Sequence, residues 1–261
     1  EEGGGRFRIH RLVQDVTRER QSGEERDLSL LSMLEIFKKV ECGEPQDVQS
    51  WPVWDPLHPH LSTVTTYAEY HGIAEPTTSL MNQLGVLLLA KASYGEAEPL
   101  IRRALAIDEA SYGPAHPTVA IRLNNLAQLL KATNRLGVAE PLMRRALAID
   151  EASYGPDHPE VAHALNNLAV LFQATNRLAE AEPLMKRALA ISETSYGPDH
   201  PKVSTNLNNL AQLFQATNRL ELAEPLMRRA LAIDEESYGP KHPTVARDLN
   251  NLAQLLKATN Q

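Results

Sequence analysis

A block of 42 residues recurs along this chain, and an internal period of this length is typical of repeat architectures. The sequence Leu-Asn-Asn-Leu-Ala begins at Leu123, Leu165, Leu207 and Leu249. A second motif, Ala-Glu-Pro-Leu, begins at Ala97, Ala139, Ala181 and Ala223. A single unit of this size cannot bury its apolar face alone, so successive units must stack against each other. The repetition therefore predicts a solenoid.

Each repeated unit has the pattern of two amphipathic helices. In the first helix of one unit, Val161 and Phe172 belong to an apolar stripe with helical spacing. Pro159 opens that helix, where its missing N–H costs nothing. Asn176 and Gly197 follow the two helices, and both residue types tolerate a positive φ at a helix end. We predict an all-α fold, a right-handed α-solenoid of helical hairpins with a non-repeat helical segment before it.

The repeated pattern resembles that of the tetratricopeptide repeat family. The residues that carry the resemblance are Leu165-x2-Leu168-Ala169-x2-Phe172 and Ala181-x3-Met185-x2-Ala188. Three positions depart from the family pattern, since Leu165 replaces an aromatic residue, Ala169 a Gly and Glu193 the final Pro. The 42-residue period is similar to that of kinesin light chains and of bacterial and fungal sensor arrays. The resemblance covers 76–261 and implies a protein-binding module.

We expect three segments in the chain. Residues 1–26 contain Phe-Arg-Ile-His-Arg-Leu-Val-Gln-Asp-Val, which resembles the end of the winged-helix module in STAND/NB-ARC signalling ATPases. In that family a tetratricopeptide array often follows this module as the sensor. The alternative interpretation of the stretch is an ordinary amphipathic helix. No G-x-x-x-x-G-K-[ST] phosphate loop occurs in the sequence. The chain begins without Met, and we interpret it as a piece of a larger protein.

The second segment, 27–75, is predicted to be a helical linker that caps the array. We expect a helix over 28–39, a Pro-rich connector over 43–59 that Trp51 and Trp54 anchor, and a helix over 60–70. The array follows as four repeats and a final helix: 76–112, 113–154, 155–196, 197–238 and 239–261. That final helix carries Leu249, Leu252, Leu255 and Leu256 without a partner helix, so it should fray or mediate self-association.

The face of each first helix opposite its apolar stripe should line the concave side of the stack. Side-chain amides dominate this face, in Asn125, Asn167, Asn209 and Asn251, with Gln83 at the degenerate first step, and with Gln128, Val170, Gln212 and Gln254 beside them. Amides both donate and accept hydrogen bonds, which suits the backbone of an extended peptide. The family resemblance implies the same role for this Asn. The alternative is that these amides bond only neighbouring helices or water.

The repeats differ most just before the Asn pair. Ile121, His163, Thr205 and Arg247 stand there on the groove side, and we hypothesise that they determine which ligand binds. The alternative is drift at exposed positions. For the adjoining Asn124, Asn166, Asn208 and Asn250 we expect bonding between repeats.

Composition excludes several classes of partner. The formal net charge is −7, and no segment has the excess of Lys and Arg that nucleic acid or an anionic membrane requires. The longest apolar run, Val86–Ala90, is too short to cross a bilayer. The single Cys42 excludes an intrachain disulfide and suits a reducing compartment, so we expect a cytoplasmic protein.

Four His residues, His116, His158, His200 and His242, each precede a Pro at a helix start. One repeat separates each from the next, so they cannot share a metal, and we interpret them as turn and capping residues. No nucleophile, base and acid converge, and we expect neither a cofactor nor enzymatic activity. The leading hypothesis is the ligand-recognition arm of a STAND-type ATPase that binds a protein or peptide in its groove. The alternative is a constitutive scaffold or cargo adaptor.

Overall fold

The computed structural model describes residues 23–40 and 42–259, which form α-helices, one short 3₁₀ helix and no strand. The non-repeat part consists of α1 (Gly23–Lys39), the 3₁₀ helix (Val48–Ser50) and α2 (Trp51–Tyr70). The winged-helix-like stretch at residues 7–16 lies outside the described residues.

The repeats form helical hairpins, so the predicted all-α solenoid fold class is confirmed. Three hairpins are α3 (Thr77–Ala90) with α4 (Tyr94–Tyr112), α7 (Pro159–Ala174) with α8 (Leu178–Tyr196), and α9 (Pro201–Ala216) with α10 (Leu220–Tyr238). The remaining helices are α5 (Pro117–Ala132) and α6 (Leu136–Tyr154), which lie between α4 and α7 in the sequence, and α11 (Pro243–Thr259) after α10. The chain divides into two units, one ending at Thr133 and one beginning at Asn134. Within each unit, successive helices pack against each other.

The predicted connector over 43–59 is wrong for its second half, because α2 already begins at Trp51. Pro52 lies in the first turn, where no helical acceptor awaits an N–H. Pro56 and Pro59 each remove one hydrogen bond inside the helix. Trp54 offsets that loss, because its ring is buried and its indole N–H donates to the Gly43 carbonyl at 3.2 Å. Tertiary burial thus overrides the local preference of Pro.

The hydrophobic core lies between helices, where small side chains allow close approach. Val161 and Leu165 on α7 pack with Ala188 and Ile191 on α8, and all four are buried. Ala188 is fully buried, so a larger side chain there would force the two helices apart. The apolar stripe predicted for the first helix is therefore confirmed.

The helix ends also agree with the sequence prediction. Asn176 adopts a φ of 60° and Gly197 a φ of 88°, so each occupies the conformation that its residue type tolerates. His158 caps α7, because its Nδ1 accepts the backbone N–H of Glu160 at 3.2 Å. His116, His200 and His242 accept the equivalent N–H groups in their repeats. The capping role predicted for these His residues is confirmed.

The final helix, α11, exposes part of the face that the other repeats bury. Leu249 is 48% exposed, whereas the equivalent Leu207 is fully buried by its own hairpin. Ala253 on the same face is exposed as well. The bare face predicted for this helix is present, and self-association through it stays a prediction.

Candidate functional site

The predicted groove residues lie on the first helices of the repeats, and water reaches them in every described repeat. Those with the more exposed side chains are Ile121, His163, Thr205, Arg247 and Gln254, while Gln83, Asn125, Gln128, Asn167, Val170, Asn209, Gln212 and Asn251 are half-buried. In the first unit, α3 packs beside α5, and in the second unit α7 packs beside α9. Each unit therefore carries its own set of these residues on neighbouring first helices.

Two Asn residues of the predicted groove, Asn125 and Asn209, bond to the preceding repeat. The side-chain N–H of Asn125 donates to Oδ1 of Asn82 at 2.9 Å, and that of Asn209 donates to Oδ1 of Asn166 at 3.0 Å. Both acceptors are buried, so the bonds join an accessible amide to an enclosed one. The inter-repeat bonding expected of Asn166 is confirmed. These bonds fix how the groove amides are oriented, and their contact with a ligand stays a prediction.

The side chain of His163 is exposed, and the protein around it still affects the pKa of its imidazole. Water reaches its side chain, yet the surrounding protein lowers the pKa of its imidazole, mainly by desolvation and further by the charge of Lys202. Nδ1 of His163 lies 3.5 Å from the amide nitrogen of Asn167, one turn further along α7. The predicted groove position thus places an imidazole beside an amide on this helix.

Arg247 differs from the other three variable residues, because acidic neighbours engage its guanidinium. It donates to Asp248 at 3.0 Å and lies 3.7 Å from Asp234. Both carboxylates are buried, whereas about half of the Arg247 side chain is exposed. Its charge is therefore partly neutralised before any ligand arrives.

A second set of polar residues, which the sequence analysis did not single out, lies where the second helix of one repeat packs on the first helix of the next. We call this contact a junction. At the α4–α5 junction, Arg122 donates to Asp108 at 2.8 Å, and both side chains are buried. At the α8–α9 junction, Asn206 donates to Ser192 at 2.7 Å. These buried partners are the second members of the variable pairs whose first members face the groove.

The α10–α11 junction holds two buried carboxylates. The hydroxyl of Ser204 donates to Asp234 at 2.6 Å, and the amide of Asn208 donates to Asp248 at 2.9 Å. Burial raises the pKa of Asp234 to about 6, with a further contribution from the neighbouring Asp248. Asn208 thereby joins two repeats, as expected for that position.

At the α6–α7 junction the corresponding residues are Asp150 and Ala164. Asp150 is 5% exposed, and within the described part of the chain its carboxylate forms no hydrogen bond or ion pair. Burial raises the pKa of Asp150 to about 7, and the negative charge of Glu160 adds to the rise. Ala164 offers only a methyl group where Arg122 and Asn206 offer donors.

A sequence signal for the junction pairs exists. The two partners stand 14 residues apart, as Asp108 and Arg122 do, and both positions vary between repeats that are otherwise nearly identical. Joint variation at a fixed separation can mark contacting residues, but only packing shows that the pair is buried.

Exposed ion pairs add to the contacts between repeats. Arg177 donates to Glu140 at 2.8 Å, and Arg219 donates to Glu182 at 2.7 Å. Both pairs lie near the surface, where such bonds contribute about 0–1 kcal/mol each. In the described residues no group of three or more His, Cys, Asp and Glu side chains is placed to hold a metal ion. None of the described helices has the length and hydrophobicity to cross a membrane.

The repeated part of the chain matches a known protein family. The tetratricopeptide repeat profile matches residues 76–152, 135–194 and 173–236, more than half of the chain. Among solved structures, BtubC (BKLC) from P. vanneervenii is 21% identical, with 91% of this chain and 94% of that chain covered and a TM-score of 0.66. A protein of the kinesin light chain type from Podosopora anserina, with nearly identical TPR-like repeats, is 23% identical, with 72% and 90% covered and a TM-score of 0.59.

A variant of the Podosopora anserina protein is similar at 22% identity, covering 69% of this chain and 85% of that chain with a TM-score of 0.59. At these identities the likeness concerns the fold. No curated protein matches the chain.

Proposed function

Because the chain belongs to the tetratricopeptide repeat family, whose repeats form protein-interaction or scaffold modules, we propose that it binds an extended polypeptide along its first helices. The contact surface comprises the amide residues of the predicted groove together with Ile121, His163, Thr205 and Arg247. The ligand is a protein or peptide, and binding requires no cofactor.

One observation carries this proposal, namely that variable side chains stand beside oriented, accessible amides. On α9, Thr205 is exposed, and Asn209 lies one turn later with its amide held by Asn166 at 3.0 Å. An amide held in this way retains a second N–H and acceptor capacity for another backbone. Constant amides would then bind the ligand backbone, while Thr205 and its counterparts would select side chains.

The experiment compares two threonine substitutions on the second unit. A peptide selected from a random display library on the wild-type protein serves as the probe. Thr205→Arg places a bulky cation on the proposed surface, whereas Thr194→Arg makes the same change at an exposed position on α8. We expect Thr205→Arg to weaken the peptide at least about tenfold, equivalent to about 1.4 kcal/mol, and Thr194→Arg to leave the affinity within about twofold. Equal effects of the two changes would reject the proposed surface.

We also propose two kinds of larger protein to which this module could belong. A sensor arm of a STAND-type ATPase rests on residues 7–16 alone, and the comparisons give it no support. A constitutive scaffold or adaptor rests on the 42-residue period that resembles kinesin light chains. A phosphate loop in the coding sequence upstream would support the ATPase setting, and its absence there would favour the scaffold. Cytoplasmic location is proposed from the single Cys42.

A further inference from the structure

At each of the four junctions the second helix contributes one buried polar side chain. At three junctions another side chain of this protein donates a hydrogen bond to it. Asp108 has the guanidinium of Arg122 at 2.8 Å, and Ser192 has the amide of Asn206 at 2.7 Å. Asp234 has the hydroxyl of Ser204 at 2.6 Å, with Arg247 at 3.7 Å. These three junctions show what partner a side chain at this position requires.

The α6–α7 junction lacks that partner. Asp150 occupies the same position as Asp108, but the residue 14 positions later is Ala164. Ala164 is fully buried and has no polar side-chain atom to offer. Asp150 is 5% exposed, whereas Asp108 is fully buried and Asp234 is 1% exposed, so water retains access to the carboxylate that lacks a partner. A buried carboxylate without a cation or donor is unfavourable in its ionised form.

The charges around Asp150 are negative as well. Glu160, on the first turn of α7, acts on Asp150 through its charge, and the exposed Tyr154 on α6 is close enough to interact with both acids. Lys202 in the next repeat acts on His163, but it lies over the ring of Tyr196 at 4.6 Å and donates to its hydroxyl. Arg187 on α8 also reaches this junction, but Glu151 accepts its guanidinium at 2.8 Å and the Pro156 carbonyl accepts it at 2.7 Å. The charge that acts on Asp150 is therefore that of Glu160, and no base is bonded to its carboxylate within the described residues.

We propose that the α6–α7 junction is a recognition subsite for an arginine or lysine side chain of the bound polypeptide. The ligand supplies from outside the cation that Arg122 supplies internally to Asp108. Asp150 is the principal anion and Glu160 adds negative charge. One face of the Tyr154 ring stacks on His158, and the opposite face suits a guanidinium or ammonium group. This subsite rests on the proposed function and gives the ligand a chemical class, a polypeptide with a basic residue that reaches the junction beside His163.

Binding at this subsite depends on pH, because only ionised Asp150 attracts a cation. Burial and Glu160 raise the pKa of Asp150 to about 7, so the ionised fraction falls from about nine tenths at pH 8 to about one tenth at pH 6. Tyr154 and the imidazole of His163 have pKa values shifted away from this interval, upward and downward respectively. The other charged or titratable groups at the junction are Glu160, His158, which stacks on Tyr154, and Arg187, which is paired with Glu151. We expect roughly tenfold weaker binding of a cation at pH 6 than at pH 8.

The experiment uses a small probe on the whole chain. N-acetyl-arginine N-methylamide is titrated at millimolar concentration, with N-acetyl-citrulline N-methylamide as the uncharged isostere. The carboxyl ¹³C resonance of Asp150 is followed by NMR, and the affinity is compared between wild type, Asp150→Asn, Ala164→Arg and the control Asp199→Asn. Ala164→Arg rebuilds the arrangement of Arg122 and Asp108, so it should occupy the subsite internally.

The expected result is that the arginine probe lowers the pKa of Asp150 by at least about one unit and that citrulline does not. Asp150→Asn and Ala164→Arg should each reduce affinity at least tenfold, and Asp199→Asn should not. Equal binding of citrulline, an unchanged pKa at saturating probe, or full affinity in Asp150→Asn would overturn the proposal. If Ala164→Arg fails to fold, Asp150→Asn decides. Thr205→Arg should leave probe binding intact, so a failure of the groove proposal is distinguishable from a failure of this one.

Discussion

The buried carboxylate of Asp150 should destabilise the folded protein at neutral and alkaline pH. Its pKa rises from 3.8 to about 7 on folding, so the folded state binds the proton more tightly than the unfolded state does. The free energy of unfolding therefore falls as pH increases from about 4 to about 7, and it stays low above that range. Asp150→Asn keeps the shape of the side chain and removes the charge, so it should stabilise the protein where the wild-type carboxylate is ionised.

The expected stabilisation by Asp150→Asn follows from the pKa shift of Asp150. Each pKa unit corresponds to about 1.4 kcal/mol, so the ionised carboxylate costs up to about 4 kcal/mol at pH 8. Relaxation around the junction reduces this figure, and we expect about 2–4 kcal/mol of stabilisation by Asp150→Asn at pH 8. At pH 4 the wild-type side chain is protonated when folded and nearly half protonated when unfolded, so the gain should shrink to a few tenths of a kcal/mol.

Urea unfolding at pH 4 and at pH 8 measures this difference, and amide hydrogen exchange in α6 and α7 localises it. Asp199→Asn is the matched control, because it removes an exposed carboxylate at a loop position. Asp199→Asn should change the free energy of unfolding only slightly at both pH values. A gain from Asp150→Asn that is the same at pH 4 and pH 8, or a loss at pH 8, would refute the reasoning.

Three further predictions concern single positions. Ala92 adopts a φ of 58° where the later repeats carry Asn, so Ala92→Asn should raise the free energy of unfolding by about 1 kcal/mol in urea titrations, and a loss would contradict the assignment. His158→Ala removes the cap of α7 and should cost about 1 kcal/mol, whereas His158→Asp should restore most of it. Arg122→Met leaves Asp108 buried without its cation and should cost about 3–5 kcal/mol at pH 7. Replacing Asp108 by Leu as well should recover much of that loss, and a double variant as unstable as the single one would speak against a charge effect.

Much of the fold could be predicted because its determinants are local and repeated. Apolar spacing specified each helix of the hairpins, and residues such as Asn176 and Gly197 marked the ends through their backbone preferences. The start of α2 could not be predicted in this way. Pro56 and Pro59 locally disfavour a helix over 51–59, whereas the burial of Trp54 and its bond to the Gly43 carbonyl favour one.

Part of the candidate site could likewise be predicted from the sequence, and part could not. Exposure of Thr205 and partial burial of Asn209 follow from helical geometry, so they could be predicted from their positions on the helix. The bond from Asn209 to Asn166 depends on how two repeats pack, and the sequence offered ligand contact and inter-repeat bonding as alternatives. Asp150 could not be recognised, because the 14-residue separation from Ala164 does not show that the two positions are buried against each other.

Site-specific cross-linking tests the central proposal most directly. A photoreactive p-benzoylphenylalanine is placed at Thr205 in one sample and at Thr194 in another, and each is irradiated with a peptide selected on the wild-type protein. If polypeptides bind along the first helices, the peptide should cross-link from position 205 and not from position 194. Cross-linking from 194 alone, or equally from both positions, would contradict this account.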